Sequence, residues 1–164
     1  MTATLQQLID SLRNELQQYG EMLALLDVQQ ELVSCHATPS VLNSVAAVEA
    51  QAAALTSARQ SREHCQRQLA WALGRPEGEV FSELLPLLPA ECRPLVAALV
   101  QETSELLQEV RERAGLSHAQ LRRSLHLMER FLTTLSAESL SARPAETHPH
   151  PSHADAPPQS AAFV

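Results

Sequence analysis

Between Leu95 and Leu135 the side chains Val96, Leu99, Thr103, Leu106, Val110, Ala114, Leu121, Leu125, Met128, Leu132 and Leu135 recur mostly at steps of three and four. That spacing lays them along one stripe of an α-helix. Glu102, Glu105, Glu109, Glu112, Arg122, Arg123 and Arg130 fall opposite. A helix of about 40 residues is roughly 60 Å long. It cannot bury such a stripe alone, so it requires partners in its own chain or in another.

The same pattern predicts two further long helices. From Thr4 to Ser34, the residues Leu5, Ile9, Leu12, Leu16, Tyr19, Leu23, Leu26 and Val33 form a seam of coiled-coil type, interrupted only at Gln30. Gly20 inside it costs about 1 kcal/mol relative to Ala. Asp10, Glu15, Glu21, Asp27 and Glu31 are expected on a solvated acidic face. A break is predicted from Cys35 to Ser40, with Thr38 as N-cap and Pro39 at the first helical position. The second helix is expected from Pro39 to Leu73. Its seam, Val41, Val45, Val48, Ala52 and Leu55, turns polar at Arg59 and Arg62 before Leu69 and Leu73 resume it. Gly74 suits a C-cap and Pro76 forbids continuation. A short loop between two long helices predicts an antiparallel hairpin.

Residues 75 to 94 hold five of the punctuating residues, Pro76, Gly78, Pro86, Pro89 and Pro94. Between them Val80, Phe81, Leu84, Leu85, Leu87 and Leu88 predict one or two helical turns that plug an end of the bundle and stop at Pro86. The long third helix holds a conflict at Gly115. Ser117 with Gln120 has capping-box spacing, and Leu116 with Leu121 is placed as a hydrophobic staple. The interval from Val110 to Leu121 nevertheless keeps the stripe in phase over about three turns, which predicts one helix, kinked or loosened near Gly115. Beyond Ser139 the pattern dissolves into Pro144, Pro149, Pro151, Pro157 and Pro158 among Ser, Ala and His, the composition of a disordered tail. The expected fold is all-α: an elongated antiparallel bundle of three long helices plus a short connecting helix over residues 1–138, then a disordered tail over 139–164.

Composition supports a helical class. Of 164 residues, 45% are apolar but only 3% aromatic, which suits a bundle and not a sheet protein. A net charge of −7 argues against nucleic acid as the main partner. All basic residues are Arg, with no Lys, as expected of GC-rich coding. The segment Met1 to Thr4 shows no basic cluster leading into an apolar core, and the longest apolar run, Leu95 to Val100, is too short to cross a bilayer. The expectation is a soluble, cytoplasmic protein with no membrane insertion. Three cysteines without framework spacing fit reduced thiols.

Candidate chemistry is sparse. Cys35-His36 and His64-Cys65 have the residue types of a zinc site. The hairpin would separate them, with Cys65 roughly 37 Å along the second helix from the turn. His148, His150 and His153 read as a fortuitous cluster in the tail. No paired Glu-x-x-His motifs suggest a two-metal bundle. His118 and His126 could be phosphoacceptors of a phosphotransfer bundle, but bulky Arg122, Arg123, Met128, Glu129 and Arg130 follow where a small residue is wanted. No phosphate loop or nucleophile elbow is present. No catalysis, cofactor or metal is expected.

What remains is surface. Leu121 to Leu135 continues past the part of the hairpin that is apolar on both arms, and the polar stretch Arg59 to Arg67 suggests incomplete closure. Each Leu or Met left exposed forgoes about 1.5–3 kcal/mol. Two readings stay open: a docking groove for a partner helix, or ordinary core and a homodimer seam.

Several segments carry a resemblance over residues 5–136: LQQYGEMLALLDVQQELV from Leu16, QLAWALG from Gln68, SELLPLLPAECRPLVAALVQETSELLQEV from Ser82 and LRRSLHLMERFLTTL from Leu121. In order and length, the chain resembles the FlgN-type flagellar export chaperones. The resemblance implies an all-α bundle that binds the carboxyl-terminal helical segments of the flagellar hook-associated proteins at the hook–filament junction. Such a chaperone would prevent premature assembly and deliver its clients to the type III export apparatus, with export-gate components as further partners. The client surface would fall on Leu121, Leu125, Met128, Leu132 and Leu135.

Overall fold

The computed structural model describes residues 2–35 and 38–141. Four α-helices follow one another: α1 over Thr2–Ser34, α2 over Thr38–Ala72, α3 over Phe81–Leu84 and α4 over Arg93–Ser141. A 3₁₀ turn, Leu85–Leu87, follows α3 directly. No strand occurs among the described residues. The described residues divide into two units, one up to Leu127 and one from Met128. His36, the Thr38 side chain read as an N-cap, and the segment from 142 onward with His148, His150 and His153 lie outside the described residues.

In the first unit α1 packs against both α2 and α4. Its buried residues are Leu5, Leu8, Ile9, Leu12, Glu15, Tyr19, Met22, Leu26 and Gln29, with Ser11 beside them. The expected seam had Leu16 and Leu23 where the structure buries Glu15 and Met22; Leu16 and Leu23 are half-buried. A seam for one partner needs a narrow stripe, whereas a helix packed by two partners buries a wider arc. Glu15 does not belong to the solvated acidic face to which its charge assigned it.

Two apolar clusters hold this unit together. At one end Leu5, Leu8, Ile9 and Leu12 of α1 meet Leu69 of α2, Leu88, and Val96 and Leu99 of α4. Phe81, Leu85 and Cys92 pack against that cluster, so the short block between the prolines does plug this end. Pro86 ends α3 by converting it to the tighter 3₁₀ turn. Further along, Tyr19, Met22 and Leu26 meet Val110, flanked by Val48, Leu55 and Leu106. Each fully buried side chain of this size contributes about 1.5–3 kcal/mol.

The cross-links give the direction of each helix. Gln51 Nε2 donates to the Gln18 carbonyl and side-chain oxygens at 3.0 Å, and Arg62 Nε donates to Glu15 at 2.7 Å. Positions rising along α1 thus meet positions falling along α2, so the two are antiparallel. By contrast, Arg113 pairs with Asp27 and Ser117 donates to Gln29, so α1 and α4 run parallel. The long elements therefore go up, down and up.

Helix α2 ends as its sequence predicts. Gly74 takes a left-handed φ of 68°. Its N–H donates to the Trp71 carbonyl at 3.0 Å and that of Arg75 to Ala70 at 2.8 Å. These are the two reversed bonds of a Schellman cap. At Gly115 the helix is unbroken. Ser117 is not a cap; it is buried in mid-helix and its hydroxyl serves Gln29 of α1.

Candidate client-binding surface

Helix α4 changes character along its length. Val96, Leu99 and Val110 are buried, and so is Ser117. Leu121 and Ser124 are half-buried. Within the first unit, Leu125 and Leu127 are then exposed, as is Leu116. Within the second unit, Met128, Phe131, Leu132 and Leu135 are exposed. From Leu125 onward these large apolar side chains are 45% to 65% accessible. Of the five residues expected on the sequence alone, Leu121 is partly covered and the other four are open. Leu127 and Phe131 were absent from that set, although the run LHLMERFL shows them widening the apolar side beyond steps of three and four.

A polar cluster sits inside the first unit. The Glu15 carboxylate, 1% accessible, receives Arg62 Nε at 2.7 Å and lies 3.9 Å from Arg59 Nε. It also accepts the Tyr19 hydroxyl at 3.1 Å. Arg62 continues outward to Gln66 Oε1 at 3.0 Å, and Gln66 Nε2 donates to the Glu79 carbonyl at 2.8 Å. The Arg62 guanidinium also lies 5.9 Å from the Phe81 ring centroid, within range of a cation–π contact. The polar stretch of α2 is thus tied to the centre of α1 and to the connection before α3, not left as an unclosed seam. Beside it is a cleft of ≈ 180 Å³ bordered by Leu12, Tyr19, Arg59, Phe81 and Leu107. Burial pushes the Tyr19 phenol up to about 12, and the neighbouring Glu15 charge and hydrogen bond push it the same way. The cluster has the character of a structural brace, because Glu15 and Arg62 spend their polar atoms on each other and on neighbours in the fold.

The residues weighed for other chemistry are dispersed. Cys35 is exposed near Asp27 and Glu31, while Cys65 packs against the cluster of Leu5 to Leu12. His64 is exposed, with Gln68 Nε2 at 2.9 Å from its Nε2. His118 and His126 are exposed on α4. Among the described residues, no group of three His, Cys, Asp or Glu side chains comes together as a metal site, and no helix is long and apolar enough to cross a membrane.

A family model described as FlgN protein matches residues 1–142. The chain belongs to the FlgN family. It is by that membership a flagellar export chaperone. The match reaches from α1 to the end of α4 and stops where the Pro- and His-rich segment begins. The chain matches no curated protein and no solved structure. The Glu15 cluster is committed internally.

Proposed function

We propose that this FlgN-family chaperone captures the carboxyl-terminal helical segments of flagellar hook-associated proteins in the cytoplasm. It keeps them from assembling early and hands them to components of the type III export gate. The client helix lies along Leu121, Leu125, Met128, Leu132 and Leu135, with Phe131 widening the contact. The observation that carries this reading is the run of exposed Leu, Met and Phe on the last part of α4, a large apolar exposure for a chain of this size. Helix-in-groove recognition needs side chains at such steps, and neither nucleotide nor metal.

The test is the double substitution Leu125→Asp with Leu132→Asp. Both side chains are about 60% accessible, so the bundle should keep its helical content while co-purification with the client segments is lost. If the double variant unfolds, these residues are core and the site is wrong.

A second reading has its own observation. Steps of four and three from Leu121 to Leu135 are also those of a coiled-coil seam between two copies. Concentration-dependent mass measurement separates the readings. A tight dimer disrupted by the same double substitution, with no client captured by wild type, favours a self-associating scaffold.

A further inference from the structure

Every residue from Met128 to Ser136 is exposed, although all are helical. Thr133 Oγ1 and Thr134 Oγ1 both donate to the Arg130 carbonyl, at 2.7 and 2.9 Å, and Ser136 Oγ donates to that of Leu132 at 2.8 Å. Hydroxyls that turn back on a helix in this way weaken it slightly. The stretch is also rich in residues of modest helix propensity, Thr133, Thr134, Ser136, Ser139 and Ser141. A helix end keeps its structure on condition that an apolar face is packed; without that packing the end frays, even where the rest of the helix supplies the nucleus. Earlier on α4 that condition is met by Val96, Leu99 and Val110. From Met128 to Ser136 it is met only when something covers Met128, Leu132 and Leu135.

We propose that residues 128–141 are a folding-on-binding arm. In the free chaperone the arm exchanges between helix and coil. An amphipathic helical segment of the client, laid along Met128, Leu132 and Leu135, fixes it as helix. The inference rests on the client reading above and adds how capture is made reversible. Ordering the arm opposes binding, so the complex is weaker per unit of buried area than one with a preformed helix. Such a complex suits a chaperone that must give up its client to an export machine.

Amide hydrogen exchange on the full chain tests this, alone and with the carboxyl-terminal segment of a hook-associated protein as probe. In the free chain, 128–141 should exchange nearly as fast as unstructured peptide while 96–110 is protected. With the probe, exchange over 128–141 should slow by at least about tenfold. A second variant, Thr133→Ala with Thr134→Ala, changes residues off the Met128–Leu132–Leu135 stripe. By raising helix propensity it should tighten capture about threefold. Protection of 128–141 equal to that of 96–110 in the free chain overturns the inference. Capture without added protection, or with no tightening by the double Ala variant, overturns it and leaves the client reading standing. No capture by the wild-type chain overturns both.

Discussion

Removing Arg62 tests whether the polar brace is as important as its burial implies. The Glu15 side chain is 1% accessible and Arg62 15%. Arg62→Met keeps an unbranched apolar stem without the guanidinium and leaves the Glu15 carboxylate enclosed with Arg59, at 3.9 Å, and the Tyr19 hydroxyl as its partners. Breaking a buried pair from one side costs about 3–5 kcal/mol. Arg59 is nearer the surface, 43% accessible, and compensates in part, so about 2–3 kcal/mol is expected here. For a chain of this size, that is a fall in Tm of about 5–10 °C. Urea unfolding followed by circular dichroism should show a lower midpoint with an unchanged slope. The double variant Arg62→Met with Glu15→Leu removes both charges and should recover most of the loss, because a buried pair replaced by apolar side chains is often neutral. A loss below about 1 kcal/mol for Arg62→Met is what an exposed pair would give and would refute the brace. So would a double variant no more stable than the single one.

Two further predictions concern Tyr19 and the glycines. The chain has one Tyr, so phenolate absorbance reports Tyr19 alone, with a phenol held up to about 12 against 10.0. Raising the folded value favours the neutral phenol in the folded state. Its contribution to stability is therefore complete below pH 10 and lost as pH climbs towards 12. A phenolate midpoint near 10 in the folded protein would sink this. Gly74→Ala meets no atom within 4 Å, yet it forces a left-handed φ on an L side chain and should destabilise by about 1–2 kcal/mol. Gly115→Ala also meets open space but sits in regular helix, and should stabilise by about 1 kcal/mol. Thermal melts that moved both variants in the same direction would contradict these backbone assignments.

Much of the fold was legible in the chain. The helix limits came within about two residues because their signals are local: Pro39 near the start of α2, Gly74 and Pro76 at its end, Pro86 inside the short block. Less legible was what each polar residue inside a helix does. Glu15 had the sequence look of a surface acid, and Arg59 and Arg62 looked like a gap in a seam. Only their meeting across the hairpin shows that the two irregularities answer each other. Ser117 and Gln120 had capping spacing, but an N-cap residue must itself have non-helical backbone geometry, and Ser117 lies within unbroken helix. The five residues of the candidate surface were read from periodicity, which places side chains on a common stripe but says nothing of whether a neighbour covers them.

The sequence by itself determined that the chain is helical, where its long helices start and stop, and, through its family, that it is a flagellar export chaperone. Those properties reside in residue spacing, turn chemistry and element order, which neighbours in the chain settle among themselves. The tertiary structure alone decided that α1 packs against both α2 and α4. It decided too that Glu15 and Arg62 pair inside, and that Val96 and Val110 are covered while Leu125, Met128, Leu132 and Leu135 are open. Periodicity is a property of one helix, whereas burial is a property of two or more. Residues with the same spacing on α4 therefore separate into core and surface only when the length of α1 and the packing of the bundle are known.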